Sequence, residues 1–251
     1  SQVRVIESYA ALEGAAGGSS WTCGVTEIVG GDDSHVDHYK VQRESLAAHH
    51  TALQQVVLGR GCRISSHALS LGAGLARYDV LGLLAGEGAD ANLNCLYLAT
   101  GRQHVDTHMR VDHQAAHCSS HELYKGVLDG KARAVFNGLI HVHPGAQKTD
   151  AKQTNRNLLL SKEALVNTNP QLRIFADDVK CTHGSTVGQL DADAIFYLRS
   201  RGIGEEAARS LLTYAFALDI VERIAFEPLR HELETFLFAW LPKGEVVAQA
   251  V

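Results

Sequence analysis

Residues Ala176–Gly188 read ADDVKCTHGSTVG, and in this stretch a thiol and an imidazole stand two positions apart. The β-branched Val179 and Val187 favour an extended backbone, which places the side chains at positions i and i+2 on one face. Cys181 and His183 are therefore predicted to point the same way. Because thiolate sulfur and imidazole nitrogen suit iron, zinc and copper, the stretch predicts half of a soft-metal site.

The sequence from Val3 to about Val187 consists of short alternating or β-branched runs that glycines interrupt. Two examples are His67–Leu71, which reads HALSL, and Leu93–Leu98, which reads LNCLYL. This pattern predicts many short strands without intervening amphipathic helices. A sandwich, a barrel and a β-helix all remain open, because we find no strict internal period.

The C-terminal part of the sequence changes character, because helical periodicity replaces the short alternating runs. Asp191 or Asp193 can cap a first helix, which ends around Gly202. Acidic residues after Gly204 favour a second helix, and Pro228 suits the first turn of a third. We therefore expect a β domain over residues 1–188, a helical region over residues 189–242 and a tail over residues 243–251.

Composition and charge exclude several classes of protein. The 251 residues carry a formal net charge of -5, which argues against electrostatic binding of nucleic acid. No apolar run approaches the roughly 18 residues of a membrane span, and no signal-peptide pattern opens the sequence. We predict neither a nucleic-acid partner nor a membrane span.

The cysteines indicate a reducing environment. Their number is five, which is odd and does not suggest a disulfide framework, so the cytoplasm is the expected location. Cys23, Cys62 and Cys95 lie in apolar or glycine-rich runs and are predicted to be small buried residues. Charged neighbours predict partial exposure of Cys181, and Lys180 or His183 can lower the pKa of its thiol.

Three short stretches begin like enzyme motifs and then depart from them. Gly126–Ala132 reads GVLDGKA, which has one residue too few for a P-loop and lacks the Ser or Thr that holds magnesium. His121–Lys125 and His231–Thr235 begin like zinc-protease helices but lack the second histidine. We predict neither an ATP site nor a zinc protease.

The 14 histidines offer further groups of donors. One polar set alternates with apolar residues and consists of His104, Asp106, His108, Arg110 and Asp112. We interpret this set as the polar face of a strand, with a metal-binding stripe as the alternative. His141 and His143 share a strand face by the same reasoning. His113, His117 and His121 follow at four-residue spacing, which fits one face of a helix or a series of turns.

Ala176–Gly188 resembles the SufD proteins of the SufB/SufD family, which are subunits of the Suf iron–sulfur cluster assembly machinery. The resemblance extends through Asp193–Ile203, Gly138–Asp150 and Gln153–Ser161. It implies a right-handed parallel β-helix flanked by helices. Members of this family carry a helical N-terminal region, whereas this sequence begins at Ser1 in a predicted strand, so we interpret it as a fragment or trimmed form.

The same resemblance implies a non-catalytic scaffold subunit that pairs with SufB and docks the ATPase SufC. It implies a transient iron–sulfur cluster at the SufB–SufD interface, with His183 as the first ligand from this chain and Cys181 as the second. ATP-driven dimerisation of two SufC subunits would open that interface. The surface that docks SufC is expected at Asp191, Asp193, Phe196, Tyr197, Arg199, Arg201, Glu205 and Arg209.

Two other functions remain open at this point. One is a β-helical metal-dependent or carbohydrate-active enzyme that uses His183 with Asp177 or Asp178. The other is a purely structural docking subunit in which Cys181 and His183 are idle. An exposed terminal coil would also allow the isolated chain to form a homodimer.

Overall fold

The protein is a parallel β-solenoid followed by helices, as described by a computed structural model that covers residues 1–11 and 18–250. Strands make up 51% of the structure and helices 19%, and the solenoid has about six turns. The predicted fold class, a parallel β-helix followed by a small C-terminal helical region, is confirmed.

Each turn of the solenoid contributes one strand to each of two sheets. The strands are β1 (Gln2–Ala10), β2 (Trp21–Gly30), β3 (His35–Arg43), β4 (His49–Leu58), β5 (Arg63–Ser70), β6 (Leu75–Leu84), β7 (Asp90–Ala99), β8 (His104–His113), β9 (Ser119–Leu128), β10 (Arg133–Val142), β11 (Asp150–Leu159), β12 (Leu165–Ile174) and β13 (Lys180–Gly188). Odd-numbered strands form a seven-stranded sheet in the order β1-β3-β5-β7-β9-β11-β13. Even-numbered strands form a six-stranded sheet in the order β12-β10-β8-β6-β4-β2.

The space between the two sheets is filled by every second side chain of the strands. In β10 the buried side chains alternate with partly exposed ones, as the pleat of a strand requires. Phe136 of β10 is fully buried, and its ring centroid lies 5.0 Å from that of Tyr124 in β9. Burial of one such side chain contributes about 1.5–3 kcal/mol, so the interior is the main source of stability.

Successive coils stack in register but differ in length. His104 pairs with Arg133, and Arg133 pairs with Leu165, so the repeat is about 30 residues long, within the range of solenoid proteins. The turns between strands vary in length, which is why the sequence shows no strict period. His117 lies in one such turn with a φ of 58°, so the spacing of His113, His117 and His121 reflects strand ends and a turn.

Helices cover part of the outer face of the seven-stranded sheet. They are α1 (Ala192–Ser200), α2 (Glu205–Val221), α3 (Glu227–Trp240) and α4 (Gly244–Ala250). Leu96 and Leu98 of β7 are buried in one cluster with Tyr214 of α2 and Leu233 of α3. The run LNCLYL is therefore covered on both faces, which explains its continuous apolar character. No described helix has the length and apolar character needed to cross a membrane.

The predicted helix signals appear at the ends of these helices. Asp191 caps α1, and its side chain accepts a hydrogen bond from the backbone N–H of Asp193. Gly202 has a φ of 87° just after α1, a conformation that glycine adopts without strain. Residues 244–250, expected to be part of a tail, instead form α4, because Val247 packs into the apolar cluster beneath the helices.

Candidate functional site

The C-terminal end of the solenoid is open. β13 is the last strand of the seven-stranded sheet, and β12 is the last strand of the six-stranded sheet. Seven consecutive residues of β13, from Thr182 to Gly188, are exposed. An edge strand presents backbone N–H and C=O groups that can pair with another chain. This end of the molecule therefore has the properties of a surface for strand pairing.

Cys181 and His183 lie side by side at this open end. They pair in register with Ala151 and Gln153 of β11, whose side chains are buried between the sheets. Residues opposite each other in neighbouring strands share a face, so Cys181 and His183 lie on the interior face of the last coil. The predicted common orientation of the two side chains agrees with this register.

The two side chains differ in exposure. His183 is exposed, whereas Cys181 is partly buried and packs against the apolar cluster that contains Ile140 and Ala151. Burial raises the pKa of the Cys181 thiol, although a backbone hydrogen bond with Ala151 opposes that rise. The expectation that Lys180 or His183 lowers this pKa is wrong, because burial is the dominant effect. Metal binding at Cys181 would have to displace a proton.

Two buried polar side chains lie in the coils next to His183. Gln153 pairs with His183 on one side and with Glu122 of β9 on the other. Both oxygen atoms of the Glu122 carboxyl group and the oxygen and nitrogen atoms of the Gln153 amide are buried without a well-aligned hydrogen bond in the described part of the chain. Burial raises the pKa of Glu122 to about 8. The interior next to the open end is therefore polar and holds a carboxyl group that is mostly protonated at neutral pH.

The sequence alone does not single out Glu122 and Gln153. In β9 the available signal is that Glu122 stands two positions before the apolar Tyr124 and so shares its face. In β11 no signal marks Gln153, because the interior residues Asn155 and Asn157 that follow it are polar as well. Lys40 and His50, near the N-terminal end of the interior, are likewise not singled out by the sequence. The Nζ atom of Lys40 lies 2.6 Å from Nε2 of His50, and burial lowers the pKa of Lys40 to about 8.

The acids near the open end belong to the last turn. Asp177 and Asp178 are both exposed. Asp178 forms an ion pair with Lys148, and its backbone N–H donates a hydrogen bond to the side chain of Gln147 over 3.0 Å. These contacts tie the last turn to the preceding one, so they give Asp178 a role in holding the coil ends together.

The five cysteines differ in how far they are buried. Cys62, Cys95 and Cys118 are buried, as predicted for the first two. Cys23 is exposed, and the prediction that it is buried is wrong because it lies on β2, the first strand of the six-stranded sheet. All five thiols are free.

The residues expected to dock an ATPase surround α1, which has no buried residue. Phe196 is 72% exposed and Tyr197 is 57% exposed. Arg201 lies over the ring of Tyr197, 5.2 Å from its centroid. Exposed aromatic side chains next to an arginine are the residue types that dominate protein–protein interfaces. α1 is therefore the described helix best suited to contact another protein.

The remaining predicted docking residues connect α1 to the helices that follow. Arg199 of α1 forms an ion pair of 3.2 Å with Glu205 at the start of α2. Arg209 instead turns toward the solenoid, where its guanidinium donates a hydrogen bond to the carbonyl oxygen of Leu160 over 3.3 Å. The structure thus brings seven of the eight predicted docking residues together around α1 and assigns Arg209 a contact within the chain.

Comparison with known proteins identifies the family. The family model described as "SUF system FeS cluster assembly, SufBD core domain" matches residues 1–216. The chain belongs to the SufBD family. It is 38% identical over 245 residues to the "Iron-sulfur cluster assembly protein SufD" of Escherichia coli, covering 97% of this chain and 57% of that protein.

Other relatives agree with this assignment. The chain is 40% identical over 209 residues to an "Iron-sulfur cluster assembly SufBD family protein" of Synechocystis, covering 83% of this chain and 46% of that protein. It is 32% identical over 216 residues to "Protein ABCI7, chloroplastic" of Arabidopsis thaliana, covering 86% of this chain and 46% of that protein. The chain spans about half the length of the curated relatives it matches. Its resemblance to SufD is thus confirmed over nearly its whole length.

Proposed function

We propose that this chain is a SufD-like scaffold subunit for iron–sulfur cluster assembly, which pairs with SufB and holds a nascent cluster at the shared interface. The observation that carries the proposal is the position of His183, an exposed imidazole on the interior face of the last coil. The cluster is cargo in this proposal, and the chain supplies ligands without catalysing a reaction.

The open end favours a partner that continues the sheets. β12 and β13 are the last strands of their sheets and expose backbone groups along one edge. A second solenoid can pair with these strands and exclude water from the face that carries His183. SufB is the proposed partner, and pairing of two copies of this chain is the proposed arrangement in its absence.

His183 is the stronger ligand candidate. Its exposure lets a partner's cysteine approach the same metal, whereas Cys181 is partly buried and has a raised thiol pKa. We assign His183 to the cluster and Cys181 to a second ligand or to support of the site. Few thiolates and easy access to solvent would make such a cluster labile, which suits a protein that passes the cluster on.

The experiment that tests the proposal measures iron and acid-labile sulfide. The chain is co-purified with SufB and SufC without oxygen, and the wild type is compared with His183→Ala. We expect the variant complex to remain assembled and to lose most of its iron and sulfide, because one ligand is missing from a site with few ligands. The matched control is His121→Ala, which removes an exposed imidazole from β9 of the same sheet.

Two results would contradict parts of the proposal. Unchanged iron and sulfide in His183→Ala would remove His183 from the cluster and leave the chain as a docking subunit. Failure of the wild-type chain to co-purify with SufB and SufC would contradict the assignment of these partners.

Docking of SufC is the second part of the proposal, and we assign it to α1. SufC would hydrolyse ATP while this chain transmits the movement, so that dimerisation of two SufC subunits opens the SufB interface near His183. Such coupling requires ATP to favour one interface geometry over another. Action in the cytoplasm is part of the proposal and is supported by the five free thiols.

Phe196→Ala is expected to weaken binding of SufC at least about tenfold, because Phe196 is the most exposed large apolar residue of α1 and we place it at the centre of the interface, where truncation of a key side chain costs about 2 kcal/mol or more. Binding of purified SufC is measured by surface plasmon resonance. Leu46→Ala is the control, because Leu46 is also an exposed apolar residue, at 65%, but lies in the turn between β3 and β4. Equal affinities for Phe196→Ala and the wild type would assign SufC to another surface.

A further inference from the structure

Three donor side chains converge on the outer face of the six-stranded sheet. Asp112 of β8 pairs in register with His141 of β10, and His143 is the residue after β10. One ligand atom from each residue lies within 4.8 Å of the other two. This cluster belongs to a different sheet from the strand that carries Cys181 and His183.

Two of the three distances within the cluster match those between ligands of one metal ion. Nδ1 of His141 lies 2.9 Å from Oδ1 of Asp112, and Nε2 of His143 lies 3.2 Å from the same oxygen. With metal–ligand bonds of about 2.0–2.1 Å, neighbouring ligands of an octahedral or tetrahedral ion lie about 2.9–3.4 Å apart. His141 and His143 therefore already approach the same oxygen of Asp112 at ligand-to-ligand distances, and their own ligand atoms lie within 4.8 Å of each other.

The cluster is partly buried and still accessible. The side chains of Asp112, His141 and His143 are 15%, 20% and 33% exposed. The two imidazole centroids are 4.2 Å apart, and the ring of Phe175 packs edge-on against His141 at 5.5 Å. These contacts restrict the rotation of His141, and an ordered ligand loses less entropy when it binds a metal.

We propose that Asp112, His141 and His143 bind a divalent first-row transition metal ion. Two imidazoles and one carboxylate suit Zn²⁺, Fe²⁺ and Co²⁺, whereas Mg²⁺ and Ca²⁺ require mostly oxygen ligands. Three protein ligands leave coordination positions open to water or to a small anion. The proposal goes beyond the role in cluster assembly and does not depend on it.

Two arginines limit the affinity of this site. Arg110 donates hydrogen bonds to both oxygens of Asp112, over 2.6 and 2.8 Å, and its Nη2 atom lies 3.4 Å from Nδ1 of His141. Arg173 of β12 pairs in register with His141. The guanidinium of Arg110 opposes a cation at this position and competes for the carboxylate, and Arg173 adds positive charge on the neighbouring strand. Removal of the Arg110 charge should therefore tighten metal binding.

The experiment titrates the full chain, stripped of metal by a chelator, with Zn²⁺ and then with Co²⁺. Calorimetry measures Zn²⁺ affinity, and the visible absorption of Co²⁺ reports its ligands. All variants carry Cys181→Ser and His183→Ala, so that the open end of the solenoid contributes no ligands. We expect His141→Ala and His143→Ala each to weaken binding at least about tenfold, and Arg110→Gln to strengthen it.

The controls separate loss of a ligand from general effects. His108→Ala removes an imidazole that faces Asp106 over 3.1 Å on the same sheet, and it should leave the affinity unchanged. At the same concentration, Zn²⁺ should raise the melting temperature of the parent chain more than those of His141→Ala and His143→Ala. Asp112→Asn supplies an independent ligand variant if a histidine variant fails to fold. Equal affinity of the parent and the ligand variants would overturn the proposal, as would an equal loss in His108→Ala.

Discussion

Glu122→Gln is expected to raise the free energy of unfolding of this protein at about pH 9 by a few kcal/mol. Glu122 is 2% exposed, neither carboxylate oxygen has a well-aligned hydrogen bond in the described part of the chain, and the nearby hydroxyl of Ser120 offsets only part of the cost of burial. Burial raises the pKa of Glu122 to about 8, from 4.5 as its ordinary value. Glutamine keeps the shape of the side chain and removes the charge that forms at high pH.

The direction of the effect follows from the protons bound in each state. Below about pH 4.5 the carboxyl of Glu122 is neutral in both the folded and the unfolded chain. Between that pH and about 8 the folded chain keeps the proton that the unfolded chain has lost, so the contribution of Glu122 to stability falls as pH rises. Above about pH 8 the folded chain carries the full cost of a buried charge.

The measurement is chemical unfolding at a series of pH values, compared between the wild type and Glu122→Gln. The difference between the two should grow from low to high pH and level off once Glu122 is ionised. Glu163→Gln is the control, because Glu163 has a side chain that is 65% exposed. If the free energies of unfolding of the wild type and Glu122→Gln change in parallel with pH, Glu122 has the same pKa in the folded and the unfolded chain, contrary to the prediction.

Gly86→Ala is expected to destabilise the solenoid by about 3 kcal/mol or more, the largest effect that we predict for a single methyl group. Gly86 lies in the turn after β6, and this turn packs against the corresponding turn of the preceding coil, which follows β4. A Cβ atom at this position would lie 2.0 Å from the backbone nitrogen of Arg60 and 2.3 Å from the carbonyl carbon of Gly59. Both contacts are with backbone, so a side-chain rotation cannot relieve them.

The effect is measured as the shift in the midpoint of urea unfolding. Gly145→Ala is the matched control: Gly145 lies in another turn between coils, and a Cβ there meets no described atom within 4 Å. This control should change the free energy of unfolding by less than about 0.5 kcal/mol, as is usual for surface substitutions. A midpoint of Gly86→Ala that coincides with that of Gly145→Ala would contradict the close stacking of these turns.

Local sequence patterns predicted strands and helices well but left the architecture open. The short runs between glycines and the capping residue Asp191 correspond to strands and to the start of α1. The same runs fitted a sandwich, a barrel or a β-helix, because a strand pattern does not specify which strands pair. Resemblance to the SufB/SufD family selected the β-helix, and the parallel register confirms it.

The two candidate sites differ in how far the sequence could predict them. Cys181 and His183 are two positions apart, so alternation within one strand was enough to align them. Asp112 and His141 are 29 positions apart and meet because β8 and β10 pair in register. The alternating pattern of β8 allows a metal-binding stripe that includes Asp112, but nothing in the sequence adds His141 and His143 to it.

The sequence by itself determined the strand-rich and helical parts of the chain except α4, which residues of a strand share a face and, through its resemblance, the family. The tertiary structure alone decided which coil lies beside which, that α1 stays exposed while α2 and α3 cover a sheet, and that Glu122 and Gln153 are buried next to His183. The physical reason is that alternation is a property of neighbouring residues, whereas burial and register depend on contacts between residues about 30 positions apart in a solenoid.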